Sequence, residues 1–104
     1  MSPQEASEWL KTPEPPLLLD VRGADENAFS ALPNSVLIPL NELPTRWKEL
    51  QTGKTVPILV YCHHGMRSLR AALFLRQCGF PVVENLDGGI DAWSLDVDPS
   101  VARY

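Results

Sequence analysis

One seven-residue segment of this 104-residue chain carries a side chain that can serve as a nucleophile at neutral pH. The segment reads Cys-His-His-Gly-Met-Arg-Ser over residues 62–68, directly after an apolar run at residues 58–61. Gly65 permits positive φ angles and a close approach of the backbone to a ligand. If the loop curls around the Cys62 sulfur, inward peptide N–H groups, the N-terminus of a following helix and Arg67 all favour a thiolate. The segment therefore predicts a reactive cysteine in an anion-holding loop.

The charges of the chain are distributed unevenly around this loop. The net charge is −4, yet residues 50–83 contain no Asp or Glu and include Lys54, Arg67, Arg70 and Arg76. An acidic protein of this kind is a poor candidate for binding nucleic acid. It is a better candidate for drawing a small anion to one place. Burial of the acid-free segment would explain the same pattern and stays an alternative.

Length and composition exclude several classes of protein. With 104 residues, 44% of them hydrophobic and 21% charged, the chain is typical of one soluble domain, which we expect to span residues 1–104 and to be cytoplasmic. No apolar run approaches the roughly 18 residues of a membrane span, and residues 1–10 lack the apolar segment of a secretory signal. The two cysteines cannot build a disulfide framework. Cys78, which lies 16 residues beyond Cys62, is expected to be a buried structural cysteine.

Short apolar segments alternate with helical ones, and these elements must position the loop. The predicted strands cover residues 17–21, 36–38, 58–61 and 82–85. The predicted helices cover residues 3–11 and 25–29, a segment capped by Asn41, a segment from about Arg67 to Gly79, and a segment starting at Gly88. This alternation predicts a three-layer α/β domain with a small, mostly parallel sheet of four to five strands and helices on both faces. Ligands bind beyond the carboxyl ends of such strands, where Cys62 stands.

Four segments, taken in order, resemble the rhodanese-like domain family. A strand followed by Cys-x-x-Gly-x-Arg-Ser and a helix resembles the family's active-site loop, and residues 18–22 resemble its early Asp-Val-Arg strand. Leu-Pro at residues 32–33, Ile-Pro-Leu at 38–40 and the Gly-Gly-x-x-Ala-Trp close at 88–93 agree in spacing. The resemblance covers residues 17–93, the expected core, and leaves 95–104 as a C-terminal tail that packs against the body or frays. The chain departs from the family at His63, where arginine is common, and at residues 30–35.

The resemblance implies a single-domain sulfurtransferase. In that family a cysteine thiolate, here Cys62, takes the sulfane sulfur of a donor such as thiosulfate as a persulfide. Cyanide, a small thiol or a protein cysteine then accepts the sulfur, and the two half-reactions give ping-pong kinetics. No metal or organic cofactor is implied, and no nucleic acid or membrane partner. The implied substrate-binding residues are those of the loop, with Arg67 helping to bind the anionic donor: His63, His64, Gly65, Met66, Arg67 and Ser68.

Two other functions remain open from the sequence. One is a catalytically weak sulfur carrier or protein-binding module built on the same fold. The other is a cysteine-dependent phosphatase or arsenate reductase, whose loops read Cys-x5-Arg. Here four residues separate Cys62 from Arg67, and the smaller ring suits a single sulfur atom better than a tetrahedral oxyanion.

Several polar residues near the loop admit a structural reading beside a functional one. His63 and His64 could steer a donor when protonated, but more simply one faces solvent and the other bonds to the backbone. Ser68 could donate to the persulfide, although capping of the following helix is expected. Asp20 and Arg22 flank the end of an early strand, and we expect them to pair and brace the loop.

Overall fold

Four parallel strands form the central sheet of the part of the chain that the structure describes, residues 1–50 and 56–104. In this computed structural model the strands are β1 (Leu17–Asp20), β2 (Val36–Leu37), β3 (Ile58–Tyr61) and β4 (Val83–Asn85). They are arranged in the order β2-β1-β3-β4, so β3, which leads into Cys62, lies in the interior of the sheet. Lys54, one of the basic residues of the acid-free segment, lies outside the described residues.

The helices alternate with the strands as the sequence predicts. They are α1 (Pro3–Leu10), α2 (Ala24–Phe29), α3 (Leu43–Arg46) with a 3₁₀ turn at Trp47–Leu50, α4 (Met66–Gln77) and α5 (Gly89–Asp96). Ser2 and Glu5 form a capping box at the start of α1, as their spacing indicates. Among the described residues, no helix combines the length and apolar character needed to cross a membrane.

Three boundaries differ from the sequence-based expectation. Asn41 does not cap a helix: α3 begins at Leu43, because Pro44 has no amide hydrogen and is tolerated within a first turn. The helix after the cysteine loop begins at Met66, one residue early, because Gly65 takes up the turn with φ +102°. Near the C-terminus, residues 95–96 belong to α5 and not to the expected tail.

Both faces of the sheet are covered, which confirms the three-layer α/β architecture. Successive strand residues point to opposite faces, so Leu19 and Val60 enter one core while Leu18 and Leu59 enter the other. The first core is closed by α3, the 3₁₀ turn and α4, and the second by α1 and α5. A strand buried on both sides is apolar along its length, which explains the runs at residues 17–19 and 58–61; Asp20, at the end of β1, is buried with a charged partner.

A buried ion pair braces the carboxyl end of β1. Arg22 donates from Nε and Nη2 to the Asp20 carboxylate at 2.9 and 2.8 Å, and both side chains are fully buried. The Tyr61 hydroxyl donates to the same carboxylate at 3.1 Å. Burial disfavours the charged guanidinium, but the hydrogen bonds with Asp20 outweigh it and raise the pKa of Arg22. The predicted pairing is confirmed, and it holds the strand end beside the cysteine loop.

Candidate active site

The Cys62 sulfur lies just beyond the end of β3, where two backbone amides donate to it. Cys62 is 1% exposed. The amide N–H groups of Gly65 and Ser68 donate to its Sγ at 3.1 and 3.3 Å. The Ser68 hydroxyl lies 3.3 Å from the same sulfur. Two amide N–H groups therefore donate to Sγ from the start of α4, an arrangement that suits a negatively charged sulfur.

The loop is curled by contacts with the N-terminus of α5. The Ile90 and Asp91 amides donate to the carbonyl oxygens of Cys62 and His63 at 2.9 and 3.2 Å. These bonds turn loop carbonyls toward the helix, which leaves loop amides free to face the sulfur. Gly89 makes the approach possible, because a Cβ there would collide with both carbonyl oxygens. The Gly-Gly motif at residues 88–89 therefore shapes the cysteine loop although it is far away in sequence.

Ser68 lies beside the cysteine, and the expectation that it caps the helix is wrong. The N-cap of α4 is Gly65, and Ser68 is completely buried in the first turn with its hydroxyl toward Cys62. The hydroxyl also donates to Asn85 Oδ1. Asn85 Nδ2 in turn donates to the Gly65 carbonyl at 3.2 Å. Sequence reasoning missed Asn85, whose signal was its place at the end of β4, the strand beside β3.

Arg67 is bound by a carboxylate and does not stand open to solvent anions. Its Nη1 and Nη2 donate to the two oxygens of Glu26 at 2.7 and 2.8 Å. Glu26 also accepts from the Tyr104 hydroxyl at 2.7 Å and from the Gly23 amide at 3.1 Å. The Arg67 hydrogen bonds hold the pKa of Glu26 well below its usual value. From the sequence we expected no acid–base role for the Asp25–Glu26 pair and assigned Glu26 no place in the site; its signal was its position in the first turn of α2, just beyond β1.

The two histidines lie at the mouth of the loop in a stack of rings. His63 is stacked on the Tyr104 ring with centroids 3.9 Å apart and planes 9° apart, and His64 is 3.9 Å from His63 on centroids. His64 faces solvent, as expected of one of the pair, with Nδ1 4.0 Å from the Asp91 carboxylate. His63 Nε2 is buried and finds no hydrogen-bond partner among the described residues. The hydrogen bond to the backbone that we expected of one histidine is therefore not formed by His63 Nε2, and stacking on Tyr104 holds the His63 ring instead.

The remaining positions mark the limits of the site. Met66 is 68% exposed and forms part of the rim. Cys78 caps the far end of α4 and is half-buried, so the expectation of full burial is wrong, since the helix ends at the surface there. The tail is packed against the body through Tyr104, whose hydroxyl accepts from Arg22 Nη1 at 2.9 Å. Among the described residues, no three His, Cys, Asp or Glu side chains group as a metal site would require.

The fold and the site together define a class of protein. In it, helices cover both faces of a parallel sheet, and an interior strand leads into a loop that holds a buried cysteine. The Rhodanese-like domain model matches residues 2–96. The chain belongs to that family, as the resemblance of its four segments indicated.

Individual relatives agree with this assignment. A sulfurtransferase of Allochromatium vinosum is 35% identical over 95% of this chain and 91% of its own length. The adenylyltransferase and sulfurtransferase MOCS3 of Arabidopsis thaliana is 34% identical over the whole chain, which spans only 25% of that relative. The crystal structure of a rhodanese-related protein from Thermoplasma volcanium superposes with a TM-score of 0.83 at 34% identity, covering 100% of this chain and 97% of the other.

Proposed function

We propose that this protein is a sulfurtransferase that carries a sulfane sulfur on Cys62 as a persulfide. The observation that carries the proposal is the convergence of the Gly65 and Ser68 amide N–H groups on Sγ. Fixed donors of this kind stabilise a charge on sulfur without needing to reorganise during the reaction. Membership in the family, and relatives that are named as sulfurtransferases, support the same conclusion.

The first half-reaction loads the cysteine. The Cys62 thiolate attacks the outer sulfur of thiosulfate, a new Sγ–S bond forms, the donor's S–S bond breaks, and sulfite leaves with the electron pair. With an organic persulfide as donor, the same attack releases a thiolate. The loaded cysteine is a persulfide whose terminal sulfur takes up the charge near the loop amides. Neither route needs an oxidant or a reductant, because the sulfane sulfur moves without a net change of electrons.

The second half-reaction unloads the cysteine. Cyanide or a thiolate attacks the terminal sulfur of the persulfide, the Sγ–S bond breaks, and Cys62 returns as a thiolate. The products are thiocyanate or a new persulfide. Because donor and acceptor meet the enzyme one after the other, we expect ping-pong kinetics.

Intact-mass spectrometry tests this function. After incubation with thiosulfate or cysteine persulfide and removal of the donor, the protein should gain the mass of one sulfur atom, and later addition of cyanide should remove it and release thiocyanate. Cys62→Ser should gain nothing, whereas the matched control Cys78→Ser should gain one sulfur.

Two results would contradict the proposal. One is a native protein that takes up no sulfur from either donor, as a silent binding module would. The other is a native protein that releases phosphate from an aryl phosphate through Cys62, which would favour a phosphatase.

A further inference from the structure

Arg67 does not offer a free charge to an incoming anion. Both of its terminal nitrogens are bonded to the Glu26 carboxylate, and that carboxylate also accepts from the Tyr104 hydroxyl and the Gly23 amide. Four donors fill the acceptor sites of the carboxylate and fix its orientation. The two side chains are 38% and 22% exposed, so solvent screens the pair only in part. Glu26 therefore neutralises the positive charge with which Arg67 was expected to bind the anionic donor.

Other cations near the loop are paired as well. Arg22 is bonded to Asp20, and Arg103 lies 2.8 Å from Asp91, the carboxylate next to His64. Arg70, on the same helix as Arg67, has no carboxylate partner among the described residues, and it is exposed one turn farther along α4. An exposed charge at that distance attracts anions weakly, because water and salt screen it. The mouth of the site is therefore close to neutral.

We propose that Glu26 is a specificity-determining residue, which holds Arg67 so that the site selects an organic persulfide over thiosulfate as sulfur donor. The proposal rests on the function proposed above and deepens it. Its observation is the two-bond contact between the Glu26 carboxylate and the Arg67 guanidinium.

The reason lies in the charges of the two donors. Thiosulfate is a small dianion, and it must give up much of its hydration on entering the loop unless a cation replaces that water. To recruit Arg67 it would have to displace Glu26 and leave a half-buried carboxylate without its partner. A persulfide carries at most one sulfur-centred charge and reacts as R–S–SH, so its terminal sulfur can approach Cys62 beside the Gly65 and Ser68 amides without a cation.

A cleft next to the ion pair provides room for an organic donor. It has a volume of about 390 Å³ and lies at the carboxyl edge of β1 and β2. Its walls include the apolar residues Val21, Pro39 and Leu40, with Glu26 and Arg67 on one side. Pockets with mostly apolar walls and a few polar groups bind small organic molecules. Arg67 is the residue of the cysteine loop that lines the cleft. The carbon skeleton of a thiol persulfide can extend from the loop along Arg67 into this space, whereas thiosulfate has no apolar part to place there.

Transfer of sulfur from an organic persulfide to Cys62 needs no further reactant. The Cys62 thiolate attacks the terminal sulfur of the donor R–S–SH, the Sγ–S bond forms, the donor's S–S bond breaks, and R–S⁻ leaves with the electron pair. The proton stays on the transferred sulfur or is lost to water.

Single-turnover loading of Cys62 tests the assignment. The rate of sulfur gain is measured by rapid quenching and intact mass at varied concentrations of thiosulfate and of cysteine persulfide. In Glu26→Gln the guanidinium loses its anionic partner, so the ratio of thiosulfate to persulfide efficiency should rise about tenfold, the effect of one charge-assisted contact. The gain should appear in the concentration dependence for thiosulfate and should shrink at high salt. Glu8→Gln, the same change on the exposed face of α1, should leave the ratio as it is.

The outcomes separate this inference from the proposed function. A ratio in Glu26→Gln equal to that of the native protein overturns the role of Glu26, although loading itself still supports a sulfurtransferase. Failure of the native protein to load from either donor overturns the function instead. If the glutamine variant does not fold, Glu26→Asp, whose carboxylate is one methylene short of Arg67, should shift the ratio in the same direction by less. An unchanged ratio in that variant also overturns the assignment.

Discussion

At the scale of single residues, the cysteine environment depends on side chains that satisfy two partners at once. The Ser68 hydroxyl lies against the Cys62 sulfur and donates to Asn85, and Asn85 is oriented by the Gly65 carbonyl that its amide nitrogen reaches. A buried polar group without a partner is costly. Each member of this chain therefore restricts the orientation of the next, and the hydroxyl is held beside the sulfur.

The Glu26–Arg67 pair predicts a pH-dependent stability. The pKa of Glu26 is lowered from an ordinary value of 4.5, chiefly by hydrogen bonds from Arg67. A lowered pKa means that its stabilisation is complete above about pH 4.5 and is lost as the pH falls below that value. We expect Glu26→Gln to reduce the free energy of unfolding by about 1 kcal/mol at pH 7. The difference should shrink progressively below about pH 4.5.

Urea titrations at neutral and acidic pH measure this difference. Glu8→Gln again serves as the control, because the Glu8 side chain is exposed and contacts no cation among the described residues. A deficit in Glu26→Gln that is constant over the whole pH range would show that the ion pair contributes nothing to it.

At the scale of elements, the site is made where the start of one helix meets the start of another. The first turn of α4 supplies the donors to sulfur, and the first turn of α5 holds the loop carbonyls. Both helices begin after a glycine with positive φ, Gly65 at +102° and Gly88 at +76°. Such angles are costly for residues with a Cβ. The loop shape thus depends on the backbone angles that these two glycines permit.

Gly89→Ala tests this dependence. Its φ is +65° and a Cβ would overlap the Cys62 and His63 carbonyl oxygens, so the loop must move. We expect a loss of about 1–3 kcal/mol in stability and a strong decrease in the rate of sulfur loading. Thermal unfolding and single-turnover mass measurements give the two quantities.

Gly79→Ala is the matched control. Its φ is +104°, but a Cβ there would meet nothing within 4 Å. It should lose about 1 kcal/mol from backbone strain and keep its loading rate. Equal loading rates in both alanine variants would show that the close contact of α5 with the loop does not shape the site.

At the scale of the whole molecule, the tail is connected to the cysteine loop through Tyr104. Its ring is stacked on His63, and its hydroxyl lies between Arg22 and Glu26, which are 82 and 78 residues away in sequence. Val101 is tied to α5 by a hydrogen bond from Ser94 at 2.6 Å. The end of the described chain thus contributes to the rim of the site.

Substitution of Tyr104 separates its two contributions. Tyr104→Phe keeps the stack on His63 and loses both hydrogen bonds, so we expect a cost of about 1 kcal/mol in unfolding free energy. Tyr104→Ala also removes the stack and should cost about 1 kcal/mol more. Urea unfolding of the two variants and the native protein checks the order. If Tyr104→Ala is as stable as the native protein, the tail is not held by these contacts.

The sequence by itself determined the parts of this protein that depend on neighbours along the chain. Apolar runs at residues 17–19 and 58–61 specify buried strands, the Ser2–Glu5 spacing specifies a helix start, and glycine in the 62–68 loop permits the turn. These signals depend on burial and backbone angles, which act over a few residues. The layered α/β fold and the position of Cys62 at a strand end could therefore be predicted.

Only the tertiary structure decided which side chains surround the loop. Glu26 meets Arg67 across 41 positions of sequence and Asn85 meets Ser68 across 17, and Tyr104 reaches Glu26 across 78. No local pattern specifies such pairs, because they form when separate strands end at the same edge of one sheet. For the same reason the charge of Arg67, counted as free in the sequence, is cancelled in the folded protein.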